Sequence, residues 1–300
     1  MLDGARPRLR SIRSGPLHLE NVPGAVHRHT MGDDVHIRLE GVHKSFGGNH
    51  VLRGVDMEVM RGCINVVIGG SGAGKTVLMR QIIALEKPDA GRVLIDGEDI
   101  VPLGEMKLGP VRRRFGMVFQ HAALFDSMST FDNVAFPLRE HTKMGRREIA
   151  RRVREKLEVL DLAGTEDRYP SDLSGGMRKR VGVARALILE PDIIIYDEPT
   201  TGLDPIAARN VDQLIVETAE KFDVTSLVIS HDMTTTFTVG DRICLLHRGV
   251  IRFAGTPEEI VASDDPEVVR FLHSSGVDPE AVIHGGRGQP PGERAAIEEA

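Results

Sequence analysis

Three features of this chain point to an α/β fold built on an open, largely parallel sheet. Short β-branched runs, "INVVI", "DIIIY" and "TSLVIS", are continuously apolar, which marks strands buried on both faces. Each run stops at glycines or charged residues, as in sheets whose chemistry gathers at the carboxyl ends of the strands. Helix-like segments such as "KTVLMRQIIALE", apolar along one face, separate them.

In chain order, residues 1–34 mix Arg, His, Pro and Gly with little apolar periodicity and read as a disordered N-terminal tail. A basic arm on anionic lipid, or translation beginning at Met31, are the other readings of this segment. The fold is expected over residues 35–275. "VHIRLEGVHKSF" and "HVLRGVDMEV" alternate like half-exposed antiparallel strands and form an antiparallel β subdomain. "CINVVIGG" is a buried strand opening into a glycine loop, followed by the helix that starts "KTVLMRQ". Residues from about 122 to 175, with "GRREIARRVREKLEVLDLAG", are rich in helix formers and charge and read as an inserted helical subdomain. From 276 to 300 the chain turns polar and Gly/Pro-rich, a flexible C-terminal tail.

Bulk properties narrow the function. The 300 residues are 41% hydrophobic and carry a formal net charge of -6, so no general nucleic-acid partner is expected. No apolar run approaches the ~20 residues that span a bilayer. Cys63 and Cys244 offer neither a disulfide framework nor a metal-ligand spacing.

"GGSGAGKT", Gly69, Gly70, Ser71, Gly72, Ala73, Gly74, Lys75 and Thr76, fits G-x-x-x-x-G-K-[ST] between a strand and a helix. Such a loop curls so that successive backbone N–H groups point at phosphate oxygens, and the helix adds its positive dipole end. Lys75 reaches the β- and γ-phosphates, and Thr76 offers a hydroxyl to Mg²⁺. "DIIIYDEP" places Asp197 and Glu198 at a strand end. Alone this is an ordinary solvated terminus; downstream of a phosphate loop, Asp197 suits Mg²⁺ and Glu198 suits a general base for water. Strand alternation would send the two carboxylates to opposite faces. "LSGGMRKRVGVARAL" sets Ser174, Gly175 and Gly176 at a helix start, which is either a plain serine cap or a second anion site.

The set "GGSGAGKT", "FQ" at Gln120, "LSGGM", "DIIIYDEP", "TTGLDP" and "SHD" resembles the ATP-binding cassette (ABC) ATPases in order and spacing over roughly residues 36–275. That resemblance implies a P-loop NTPase with a RecA-like core sheet, ATP and Mg²⁺ as ligands, and ATP hydrolysis. It implies a homodimer in the ATP-bound state, packed head to tail, with Ser174, Gly175 and Gly176 gripping the partner's ATP. It also implies that Phe46 stacks on adenine, Gln120 senses Mg²⁺ and joins catalysis, Asp204 of the D-loop meets the partner, and His231 holds the γ-phosphate. Phe46 stands where many relatives carry Tyr, which preserves the ring face; Met177 replaces the common Gln of the signature, which leaves the glycine N–H groups in place.

Chromosome-type relatives need long heptads or zinc cysteines, and translation-type relatives usually carry two cassettes; neither pattern occurs here. The expected role is the ATPase subunit of a transporter with a separate membrane permease, placed on the cytoplasmic face of the inner membrane. "GMVFQHAALFDSMSTFDNVAFPLREHT", "LSGGMRKRV" and "SDDPEVVRFL" resemble the ATPases of Mla/Mce-type lipid transport systems, which implies phospholipid or other hydrophobic cargo and an Mce-domain lipid-binding protein. A polar-solute importer, and a stand-alone regulatory ATPase, are the alternatives. Among Ala122, Ala123, Leu124, Phe125, Met128, Phe131, Val134, Phe136 and Leu138, Leu124 and Phe125 are the expected permease anchors, with Val134 and Phe136 assigned to the core.

Overall fold

The computed structural model describes residues 34–120 and 122–276, so the expected terminal tails lie outside the described residues but for Asp34 and Gly276. The chain opens with a hairpin, β1 (Val35–Phe46) and β2 (Asn49–Met60), paired antiparallel with Leu39 opposite Met57 and Val42 opposite Val55. The alternation read from the sequence is interrupted by register shifts, one of them between Leu39 and Val42. Strand β3 (Ile64–Ile68) follows and runs into the glycine loop and α1 (Lys75–Ile82). That helix is four residues shorter than "KTVLMRQIIALE" suggested. Ala84 turns left-handed (φ 55°), and Leu85 and Glu86 both donate to the Arg80 carbonyl, which satisfies the helix end and stops it.

Next come β4 (Ala90–Ile95), β5 (Glu98–Asp99), α2 (Glu105–Arg112) and β6 (Phe115–Phe119). The helical insertion holds α3 (Thr130–His141) and α4 (Arg146–Val159), then α5 (Gly175–Leu187) leads to β7 (Ile193–Asp197). The remainder is α6 (Pro205–Phe222), β8 (Thr225–Ser230), α7 (Met233–Val239), β9 (Arg242–His247), β10 (Val250–Gly255), α8 (Pro257–Val261) and α9 (Pro266–Ser274).

Two sheets result. One has the order β2-β1-β4-β5 and is antiparallel; the other has the order β10-β9-β3-β8-β7-β6 and is parallel from β9 to β6. The parallel strands are apolar throughout because both faces are covered. Alternate side chains of β7 enter different cores: Ile194 and Tyr196 join α3, α4, α5 and α6, whereas Ile193 and Ile195 join α1 and the antiparallel sheet. On α4, Ile149, Val153 and Leu157 repeat every fourth residue and form its buried face, and Arg151 bridges Glu148 and Glu155 on the outside.

This layering brings the carboxyl ends of β3, β7 and β8 side by side, with Ile68 level with Ser230 and Asp197 level with Ile229. The loops that follow these three strands therefore share one rim of the sheet.

Candidate active site

Two glycines of the loop after β3 are required by their surroundings. A Cβ on Gly69 would stand 2.3 Å from the Leu246 carbonyl oxygen, and Gly74 sits at φ 105° against Val51 and Leu52. No L side chain fits either place. The curled loop lines a cleft of about 760 Å³ at the amino end of α1, where free N–H groups favour an anion. Gly69 to Val77 form its floor, with Glu198 and His231 from the neighbouring strand ends. Lys75 lies across the loop, donating to the Gly69 carbonyl (2.7 Å) and the Gly70 carbonyl (3.4 Å), and its Nζ is 3.7 Å from Glu198 Oε1.

Strand β7 ends at Asp197, and alternation does not decide where Glu198 points. Glu198 adopts a left-handed backbone (φ 50°) while its N–H still reaches the Ile229 carbonyl. For a non-glycine residue this costs on the order of 1–3 kcal/mol, and it turns the carboxylate into the cleft. There Oε2 accepts from Thr201 Oγ1 at 2.8 Å and meets His231 Nδ1 at 2.6 Å. Lys75, Glu198 and His231 thus form one chain of contacts beside the phosphate loop.

Burial holds the Asp197 carboxyl above the usual carboxylate range, and the Glu198 charge adds to the shift against Lys75 and Arg80. A divalent cation would reverse that shift. The donors that would suit a hard ion are the Thr76 hydroxyl, the Asp197 carboxylate and the Gln120 amide; of these, Thr76 lines the cleft, and Asp197 and Gln120 do not. Gln120 Nε2 donates to the Thr201 carbonyl at 3.2 Å, so its Oε1 is the atom left to accept or ligate.

The other expected residues lie elsewhere. Ser174 caps α5 and accepts from the Met177 N–H at 3.2 Å, and Gly176 faces open space. Asp204 caps α6 through Ile206 and Ala207. None of Ser174, Gly175, Gly176 and Asp204 lines the cleft of its own chain. Phe46, at the end of β1, is 44% exposed with the Lys44 ammonium 5.5 Å from its ring centre, and it too is outside the cleft wall. Sequence reasoning missed Val51, Val77, Met233, Phe271 and Ser274 of α9, and Ser275 just after it. No local signal marks the last three, which reach the cleft only because α8 and α9 fold back along β10.

Beside Gln120 lies a second concavity of about 540 Å³, lined by Phe119, Ala123, Phe125 and Phe136 and edged by Arg112, Arg113, Arg185 and His141. Phe125 is 42% exposed and its ring centre is 5.1 Å from that of Phe136. Two expectations change here. Leu124 turns inward against the core and does not line the groove; Phe136 does line it, while Val134 is fully buried as expected. Ala122 (φ 59°) and Ala123 (φ 44°) are both left-handed, and their carbonyls accept from Arg185 on α5. This pair of reversals swings Phe125 outward and Leu124 in.

The ABC transporter family model matches residues 52–201, from β2 through the turn after Glu198. The chain belongs to the ABC transporter family. It is 40% identical over 266 residues to the probable ribonucleotide transport ATP-binding protein mkl of Mycobacterium leprae, covering 89% of this chain and 77% of that one. It is 41% identical over 226 residues to the intermembrane phospholipid transport system ATP-binding protein MlaF of Escherichia coli K12, covering 75% and 84%. The fold matches the dimeric post-hydrolysis state of the ATP-binding cassette MJ0796 bound to ADP and Pi, with TM-score 0.64, 31% identity, and 73% and 98% of the two chains covered. This ABC protein is accordingly the ATP-binding, ATP-hydrolysing subunit of a transporter. In this ABC subunit, Lys75→Ala should weaken ATP binding by about 1.5–3 kcal/mol, roughly 10- to 150-fold, as read by fluorescent-nucleotide titration.

Proposed function

We propose that two copies of the chain close head to tail around two ATP molecules and drive a permease that moves phospholipid or another hydrophobic molecule. The observation that carries the composite site is the absence of Ser174, Gly175 and Gly176 from their own chain's cleft: a helix start with free N–H groups faces outward, available to a second subunit's phosphate. Asp204, exposed at the start of α6, would meet the partner beside it. Phe46 offers an exposed ring for the adenine.

In the closed dimer the phosphate loop and Lys75 hold the β- and γ-phosphates of ATP. Thr76, Gln120 and Asp197 would hold Mg²⁺, which neutralises charge developing on the phosphoryl oxygens when bound. Glu198 takes a proton from the attacking water. His231, joined to Glu198 through Nδ1, keeps that carboxylate in place and would offer its other nitrogen to the γ-phosphate. Thr201 fixes the same carboxylate and, through its carbonyl, the Gln120 amide.

The cargo class rests on the likeness to MlaF, and an Mce-domain protein would then be a further partner. The name of the mycobacterial relative favours a water-soluble cargo, which is the second reading. No helix among the described residues is long and apolar enough to cross a membrane, so attachment to the cytoplasmic face would run through the permease, in the groove of Phe119, Phe125 and Phe136. An apolar anchor in such a groove contributes about 2 kcal/mol or more. Phe125→Ala with Phe136→Ala should therefore abolish assembly with the permease in detergent pull-downs, while the free subunit still hydrolyses ATP. The intact complex should copurify with lipid detectable by mass spectrometry. Stimulation by a water-soluble solute and its binding protein would replace the lipid assignment and leave the ATPase standing.

A further inference from the structure

Behind the cleft, α6 and α7 enclose a polar cluster that the scheme above does not use. Asp212 on α6 is 3% exposed, and its Oδ1 has no hydrogen-bond partner. The hydroxyl beside it belongs to Thr235 on α7, itself fully buried. Thr235 Oγ1 lies 3.1 Å from Thr200 Oγ1 and 3.2 Å from Asp232 Oδ2; Thr200 Oγ1 lies 3.2 Å from the same carboxylate oxygen. The other oxygen of Asp232 accepts from the Thr234 N–H (2.9 Å) and the Thr235 N–H (3.4 Å), building the first turn of α7. Asp232 directly follows His231, and Thr200 precedes the Thr201 that holds Glu198 and Gln120.

Asp232 Oδ2 can receive both hydroxyl protons of the pair only while Asp212 draws neither. Thr235 and Thr200 have one proton each. When Asp212 is a neutral acid it donates its own proton toward Thr235, and both threonines are then free to donate to Asp232 Oδ2. When Asp212 is ionised it draws the Thr235 proton, and Asp232 Oδ2 is left with Thr200 alone. We propose that Asp212 is a positioning residue for ATP hydrolysis: through Thr235 it governs how firmly Asp232, and with it His231, is held against Glu198.

Burial pushes the Asp212 carboxyl up to about 6, opposed by the Thr235 hydroxyl and reinforced by the Asp232 charge. Charged groups on the packed elements do not offset this. On α5, Arg178 donates to the Leu173 carbonyl, Lys179 to the Pro199 carbonyl, Arg180 pairs with Asp161, and Arg185 binds the Ala122 and Ala123 carbonyls. On α6 itself, Arg209 is exposed. From α7 and its leading turn the ionised neighbour is Asp232, and β8 brings only the hydroxyls of Thr225, Ser226 and Ser230. A carboxyl raised in the folded state stabilises the fold below its unfolded value of 3.8, and that stability is lost as pH rises through about 6.

The inference concerns ATP turnover by the chain itself and stands whatever the cargo. Asp212→Asn fixes the neutral arrangement at every pH. Relative to wild type its kcat for Mg-ATP should be nearly equal at about pH 5.5 and about threefold higher at about pH 8, with KM unchanged. It should also melt higher than wild type at about pH 8, the two curves converging toward about pH 4. Thr235→Val removes the shared hydroxyl, so adding Asp212→Asn to it should leave the pH profile unaltered. A kcat ratio that is flat with pH, an effect confined to KM, or an Asp212→Asn effect that survives in the Thr235→Val background would each overturn the proposal.

Discussion

Glu198→Gln is expected to bind Mg-ATP with near-native affinity and to turn it over about 10²- to 10⁴-fold more slowly, the range that a general base contributes. The amide is isosteric and can still accept from Thr201, so the left-handed turn after β7 has no reason to refold. What disappears is the capacity to take a proton from water. The phosphate loop and Lys75 are untouched, and so is the outward-facing start of α5. Unhydrolysed ATP should therefore bridge Lys75 of one copy to Ser174 of the other and trap a dimer. Size-exclusion chromatography with and without Mg-ATP reads this directly. A variant that binds nucleotide tightly and elutes as a monomer under both conditions would rule out the composite site.

Ser174→Arg should show the complementary pattern. Ser174 does not line its own cleft, so nucleotide binding by the isolated chain should stay within about twofold of wild type, while hydrolysis falls to background because the long cation blocks the phosphate of the partner. Loss of the Ser174 cap also costs about 1 kcal/mol of α5 stability, too little to unfold the chain. Mixing this variant with Lys75→Ala sharpens the test, since a mixed dimer retains one site with a native phosphate loop and a native signature. Equal loss of nucleotide binding in the two single variants would contradict the division of labour.

The parts of this molecule that were legible in its sequence are those set by neighbours in the chain. The phosphate loop, the buried runs of β3, β7 and β8, and the hairpin of β1 and β2 follow from local patterns of glycine and apolar residues. The groove was legible only in part. On α3, Val134 and Leu138 are four residues apart and share the buried face, and Phe136 between them must point away; helical spacing alone could have assigned it to the surface. The inward turn of Leu124 had no such signal, because it follows from two left-handed alanines held by Arg185 about sixty residues later. The same limit applies to Glu198, whose direction is set by backbone handedness and not by strand alternation. Phe271, Ser274 and Ser275 join a loop some 200 residues earlier in the chain.

Helix α5 has its two ends in different places. Its amino end presents Ser174, Gly175 and Gly176, and near its carboxyl end Arg185 clasps the backbone of Ala122 and Ala123 at the floor of the groove. Gly182 lies against Ala122 so closely that an added Cβ would sit 3.1 Å from its methyl group. The 13 residues between make a stiff rod about 20 Å long. On the proposed function, a neighbour's phosphate pulls on one end of that rod and a permease sits on the other. It then behaves as a lever arm: a small tilt at the phosphate is delivered to the membrane partner as a displacement of Phe125 and the groove wall. Arg185 is the pin of that linkage, and shortening it would let each end keep its own task while the stroke between them is lost.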